Sequence, residues 1–220
     1  MAEGTERPME PESALKRMVR IHMAGRGIRS RHVLGAFLRV DRRHFVPDRS
    51  AAQAYDDHPL VIGDGQTISQ PFMVALMLEA LEVRRGMKVL EVGAGSGYVL
   101  ALLTAMGARA FGVEWHGSLA AAIPEALQRA GWTGPRVRAG DGGLGWPEEA
   151  PFDRILVSAA CPRVPPPLLD QLDPGGVLVA PVDAGGVQVL TRIVKRSWGL
   201  EEERGEGCVF VPLLGRYGKW

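Results

Sequence analysis

The stretch KVLEVGAGSGY at residues 88–98 decides how the chain is to be read. KVLEV is a short apolar run with β-branched residues, as a buried strand requires, and from Tyr98 the apolar residues continue at helical length to residue 106. Where strand gives way to helix, glycine stands at every second position, as Gly93, Gly95 and Gly97. Such a turn lets backbone pass close to a ligand at the helix N-terminus. The spacing is G-x-G-x-G, not the G-x-G-x-x-G that lies under a pyrophosphate, and an acid, Glu91, precedes it. That acid repels a pyrophosphate and attracts an ammonium group.

Working outward, the same strand-then-helix alternation repeats. ARAFGVE (108–114) precedes a helix over 118–130, RVRAG (136–140) follows, FDRILVSA (152–159) precedes a helix over 166–172, and GVLVAPV (176–182) is a further strand. This order predicts an α/β fold, doubly wound, with a mostly parallel sheet of seven strands covered by helices on both faces. Residues 188–194 and 207–212, separated by a Gly- and Glu-rich turn region, are expected to form an antiparallel hairpin at one edge. Upstream, helical spacing over 13–45 is broken at AGRGI (24–28), giving two helices. A polar segment with Gly and Pro runs over 46–71, and Pro71 suits the first turn of a helix over 72–81. The chain divides into a disordered lead (1–12), N-terminal helices with an active-site loop (13–83) and a cofactor-binding core (84–220), the last two forming one functional unit.

Composition narrows the classes. At 220 residues, one large domain is expected. Lys plus Arg number 26 against 25 acids, and no basic run offers a footprint for a nucleic-acid backbone. The two cysteines, Cys161 and Cys208, stand alone, which argues against a disulfide framework, and neither they nor the five histidines show metal-ligand spacing. The first residues are charged without an apolar centre, and no apolar stretch approaches the ~18 residues of a membrane span. A cytoplasmic protein without metal, membrane or nucleic-acid partner is the expectation.

Three acids close successive strands: Glu91, Glu114 and, in GDG at 140–142, Asp141. In an open α/β fold they share the rim where ligands bind. A cation carrying an adenosine suits all three, with Glu91 toward an ammonium, Glu114 toward ribose hydroxyls and Asp141 toward an exocyclic amine. LEVGAGSG with its spaced acids resembles the shared motifs of S-adenosylmethionine-dependent methyltransferases, whose sheet is Rossmann-like. Three longer segments are more specific: YDDHPLVIGDGQTISQPFMVALMLEAL (55–81), GDGGLGWPEEAPFDRILVSAACPRVPPPLLDQLDPGGVLVAPV (140–182) and VFVPL (209–213). They resemble protein-L-isoaspartate O-methyltransferases, and the likeness extends from about residue 13 onward.

That resemblance implies methyl transfer from S-adenosyl-L-methionine, leaving S-adenosyl-L-homocysteine, to the free α-carboxylate of L-isoaspartyl residues in damaged proteins and peptides. A monomer is expected. The family's catalytic serine falls on Ser69, with Thr67 assisting. Cofactor contacts fall on Glu91, Gly93, Ala94, Gly95, Gly97, Glu114, Asp141 and Gly142, with Ile68 and Gln70 joining from the preceding segment. Residues 67–70 and 209–211 would line a slot for an extended peptide. The chain departs from the family pattern at Val61, Phe72 and the pair Trp115 and His116, and its tail after Leu213 is short.

The segment GQTISQPF (65–72) holds no acid, base or metal ligand. A carboxylate with a pKa near ~4 is already ionised at pH 7, so its attack on a sulfonium methyl needs no general base. What it needs is alignment, and holding two reactants in line is worth ~7 to 11 kcal/mol. Short hydroxyls orient a carboxylate without binding its ground state strongly, as a Lys or Arg would. For Ser69 the alternative is that it caps the helix beginning at Pro71. Asp56 and Asp57 either hold the loop before GQTIS or are solvated turn residues; Cys161 reads as an apolar filler, and Trp132 and Trp146 as packing. Rival functions are a methyltransferase for RNA or small molecules, a binding protein that has lost turnover, and a nicotinamide-dependent oxidoreductase.

Overall fold

The computed structural model describes residues 13–218, so the lead over 1–12 lies outside the described residues. Helix α1 (Ala14–Met18) starts at Ser13, whose side chain accepts from the Lys16 N–H, and continues through a π turn over Val19–Met23. Gly27, at φ 104°, ends that unit, and α2 (Arg31–Phe37) is capped by Ser30 accepting from the Val33 N–H. The two N-terminal helices thus sit where the spacing put them.

The segment 46–71 carries more order than its composition indicates. Strands β1 (Leu60–Gly63) and β2 (Gln66–Ile68) pair antiparallel across a two-residue turn. Its central residues Asp64 and Gly65 both have positive φ, 49° and 70°, the conformation an Asp-Gly hairpin turn demands. At four and three residues these strands are too short for an alternation to stand out, and the Asp-Gly pair was their signal.

Helix α3 (Pro71–Leu81) follows, with proline in its first turn. Then come β3 (Lys88–Val92), α4 (Tyr98–Ala105), β4 (Arg109–Glu114), α5 (Gly117–Arg129), β5 (Arg136–Ala139), β6 (Phe152–Val157), α6 (Pro166–Asp170), β7 (Leu172–Asp183), β8 (Gln188–Arg196) and β9 (Gly199–Cys208). The seven-stranded sheet has the order β5-β4-β3-β6-β7-β8-β9. Its first five strands are parallel, β8 pairs antiparallel with β7, and β9 pairs antiparallel with β8. Strand order reverses direction at β3, so the crevice beyond the carboxyl ends of β3 and β6 is the fold's natural ligand site.

The edge hairpin is real but its last strand is displaced. Residues 207–212 were expected to form it; instead β9 spans 199–208 and turns tightly from β8, with Arg196 opposite Gly199. The sequence GLEEERGEGC hides a strand because an edge strand faces water and carries charges against further pairing, so no apolar alternation survives. The apolar residues after it leave the sheet and cross the carboxyl end of β6. There Ala160 donates to the Val211 carbonyl at 2.8 Å and accepts from the Leu213 N–H at 2.7 Å.

Both faces of the sheet are buried. Val89, Ala110, Leu156 and Val179 pack under α1 to α5, while Leu90, Val92, Ile155, Val157 and Leu178 pack against Trp146 and Leu168 of α6. Alternate residues of each strand feed opposite layers, which explains why these strands read as continuous apolar runs.

Candidate active site

Three adjoining cavities open at the carboxyl edge of β3, β4 and β6. The first is lined by Ile68, Glu91, Gly93, Ala94, Gly95 and Tyr98. The second lies along Glu114, Trp115, His116 and Gly142, with the 211–214 segment closing its far side. The third is a slot between Pro59, Gln70 and Met73 on one wall and residues 207–211 on the other. Ser69 lines the first and third, and Thr67 and Ser158 line all three. The hairpin, the loop after it and the end of β6 therefore meet at one junction.

The donor side is built from acids and glycines. Gly93 and Ala94 both donate to the Val113 carbonyl, bending the loop back over β4, at 2.8 and 3.2 Å. Gly97 heads α4 at φ 83°, where a Cβ would lie 2.8 Å from Ile123 Cγ2, so only glycine fits. Glu91 is 1% exposed; Ser158 Oγ donates to its Oε1 at 2.9 Å, and its Oε2 has no partner among the described residues. Burial pushes the Glu91 carboxyl well above its usual range, the Ser158 hydrogen bond pulls it down and neighbouring Glu114 adds to the rise. A buried carboxylate oxygen without a donor is what a cationic ligand satisfies.

Glu114 is held in place. Its Oε2 accepts from the Gly95 N–H at 2.8 Å and its Oε1 from the His116 N–H at 2.9 Å, which fixes the carboxylate and leaves further lone pairs toward the second cavity. Gly142 lies so close to Val92 that a Cβ would meet Val92 Cγ1 at 2.5 Å, and it forms part of that cavity's wall. Asp141 faces elsewhere: its Oδ1 accepts from the Gly143 N–H at 2.9 Å and its Oδ2 from the Arg216 N–H at 2.8 Å. The Asp141 side chain thus shapes the turn and ties down the C-terminal segment, while Gly142 does the lining. Together the orphaned Glu91 oxygen, the fixed Glu114 and the glycine cradle fit a cation bearing an adenosine.

The acceptor side has no ionised group on its wall. Ser69 lies between β2 and α3, and neither its hydroxyl nor that of Thr67 has a hydrogen-bond partner among the described residues. Gln70 occupies the cap position of α3 without a side-chain cap bond. It faces the slot, not the cavity by Glu91. Capping is supplied by Asp57, whose Oδ1 accepts from the Phe72 N–H at 2.9 Å while Arg26 pairs with the other oxygen and stacks 3.6 Å above the Phe72 ring. Asp57 thereby takes the capping role weighed for Ser69.

Sequence reasoning missed Ser158, Arg42 and Asp57's specific task. Ser158 was visible as the first polar residue after the apolar run of β6, beside β3 at the reversal of strand order. Arg42 gave no local signal, because its partners lie 12 to 27 residues away. Cys161 behaves as a filler: it is buried, its thiol donates to the Pro181 carbonyl at 3.4 Å, and burial pushes its pKa up to about 12. Among the described residues no group of three or more His, Cys, Asp or Glu is arranged to hold a metal ion, and no helix is long and apolar enough to cross a membrane.

Comparison with known proteins agrees with this geometry. A model of the family described as protein-L-isoaspartate(D-aspartate) O-methyltransferase matches residues 13–218. A protein-L-isoaspartate O-methyltransferase of Methylorubrum populi is 52% identical over 208 residues, covering 94% of this chain and 98% of the relative. One from Geobacter metallireducens is 48% identical, covering 96% and 98%. Among solved structures, a Plasmodium falciparum protein of the same description, in complex with S-adenosyl-L-homocysteine, superimposes with a TM-score of 0.81 at 27% identity, covering 92% of this chain and 99% of that one. By the match along residues 13–218 and by these relatives, the chain belongs to the protein-L-isoaspartate(D-aspartate) O-methyltransferase family.

Proposed function

We propose that this protein repairs damaged proteins and peptides by methylating the free α-carboxylate of their L-isoaspartyl residues, with S-adenosyl-L-methionine as donor. The observation that carries the reading is the junction itself: the Thr67 and Ser69 hydroxyls, without a hydrogen-bond partner among the described residues, lie between a cavity with an orphaned buried carboxylate and a slot open to an extended chain. When bound, the cofactor supplies a methyl group made electrophilic by its sulfonium. Glu91 would hold the cofactor's ammonium, the Gly93–Gly97 loop its carboxylate end, Glu114 its ribose, and Gly142 with the 211–214 segment its base.

On the other side, Ser69 would donate its hydroxyl to one oxygen of the incoming carboxylate and Thr67 would steady the same group, leaving the second oxygen in line with the methyl. No side chain has to move a proton, because the acceptor arrives ionised. Main chain at Val209, which is 91% exposed, would pair with a peptide backbone, while Phe210 is held from the other side by Gln188; pairing through main chain suits a protein that must accept many neighbouring side chains. We assign residues 13–83 to the acceptor site and residues from 84 onward to the cofactor core, working as one unit, and expect a monomer in the cytoplasm.

The test is methyl transfer to one peptide made in isoaspartyl and in ordinary aspartyl form. Strong preference for the isoaspartyl form is expected; equal rates would contradict the reading and favour a methyltransferase of another substrate class.

A further inference from the structure

The loop that presents Ser69 is held by a charge buried beneath it. Arg42, in the turn after α2, is 0% exposed, and no carboxylate contacts it among the described residues. Its Nη1 donates to the Ala54 carbonyl at 2.8 Å, and its Nη2 donates to the His58 carbonyl at 3.2 Å and the Ser69 carbonyl at 3.1 Å. The acids that act on it from a distance, Asp57 and Asp56, are engaged elsewhere, Asp57 with Arg26 and Phe72 and Asp56 beside His58. Burying a guanidinium among carbonyl dipoles is costly compared with leaving it in water, and an apolar side chain would fill the volume more cheaply. Three carbonyls from three turns of one segment, the last belonging to Ser69 itself, mark what the charge is for.

We propose that Arg42 is a positioning residue for the carboxylate acceptor: its fork fixes the Ser69 peptide, and its charge, lying behind that peptide, biases the junction toward an anionic substrate group. The arrangement resolves a conflict in the site. A cation on the wall would bind the carboxylate tightly before reaction and hold it there, whereas a cation one peptide behind the wall raises the local potential without contacting the attacking oxygens. Arginine suits this better than lysine because a planar fork can serve three acceptors at set angles. The inference rests on the function proposed above, and separate arms of one experiment test the two.

With S-adenosyl-L-homocysteine saturating, binding of an isoaspartyl peptide and of its α-carboxamide analogue is measured for the wild type, Arg42→Met and Arg42→Lys. S-adenosyl-L-homocysteine affinity and methyl transfer are measured alongside. Arg42→Met is expected to lose about tenfold of the preference for carboxylate over carboxamide, with S-adenosyl-L-homocysteine affinity within about threefold of wild type. Arg42→Lys keeps the charge and loses the fork, so it should retain that preference while kcat falls about tenfold at unchanged KM. Wild-type preference and kcat in Arg42→Met overturn the proposal, as does a loss of S-adenosyl-L-homocysteine affinity in step with the rate, which would make Arg42 a general folding clamp. If Arg42→Met does not fold, Arg42→Lys decides: a reduced kcat at unchanged cofactor affinity supports the role, and a wild-type kcat overturns it. Failure of the proposed function shows in the wild type alone, when methyl transfer is also measured with the ordinary aspartyl peptide, as methylation without preference for the isoaspartyl form.

Discussion

The two sides of the junction obey opposite rules. On the donor side, acids are buried and aimed: Glu91 keeps an oxygen without a partner, and Glu114 is pinned by two backbone N–H groups. On the acceptor side no ionised group lines the slot; among the described residues the Thr67 and Ser69 hydroxyls have no hydrogen-bond partner, and the charges, Arg42 and Asp57, sit behind or beneath the backbone that presents them. The donor site must recognise a cation by charge, while the acceptor site must align an anion that is already reactive. Complementary charge serves the first task, and rigid short donors serve the second.

The largest effect expected from breaking this contrast is structural. Gly97→Val forces a branched side chain into positive φ and against Ile123 Cγ2, so chemical denaturation should show a loss of about 3 kcal/mol, with cofactor binding failing alongside. Next comes Ser69→Ala, which removes one preorganised donor. Methyl transfer to an isoaspartyl peptide should fall ~10²-fold, or about 2.7 kcal/mol of barrier, with the fold intact.

Glu91→Gln is expected to weaken cofactor affinity about tenfold, close to 1.4 kcal/mol, since a neutral amide answers an ammonium less well. It also changes the pH behaviour of the ligand-free protein. Because burial raises the Glu91 carboxyl, the folded state holds a proton that the unfolded chain gives up, so this contribution to stability is full below the ordinary value of 4.5 and is lost as pH climbs through the raised value. Melting curves across that window should slope downward for the wild type and flatten for Glu91→Gln, and the wild type should release protons on binding the cofactor. The smallest effect is that of Asp57→Ala, about 1 kcal/mol of stability from the lost cap on α3, whereas a cap at Ser69 would have put that loss on Ser69→Ala instead.

The donor side was legible in the sequence because its signals are local. GAGSG sits at a strand-to-helix turn, and Glu91 and Glu114 close strands that announce themselves by apolar runs. The acceptor side could be located by the hydroxyls of GQTISQPF, yet its support could not, since Arg42 reaches Ala54, His58 and Ser69 across the chain, and Ser158 meets Glu91 only after β6 has paired with β3. Asp141 shows the converse case: its place at a strand end suggested a ligand contact, and the fold also gives its carboxylate a second task, accepting from the Gly143 and Arg216 N–H groups beside the Gly142 that lines the cavity. The displaced β9 was hidden for a different reason, an edge strand having no buried face to pattern.

The most direct measurement crosses the two sides. Single-turnover methyl transfer and S-adenosyl-L-homocysteine affinity are determined for Ser69→Ala and Glu91→Gln in parallel. Ser69→Ala should lose ~10² in rate with cofactor affinity within a few fold, and Glu91→Gln should lose affinity while its rate at saturating cofactor falls far less. Wild-type turnover in Ser69→Ala, or the same pattern in both variants, would contradict the division into a site that binds by charge and a site that reacts by alignment.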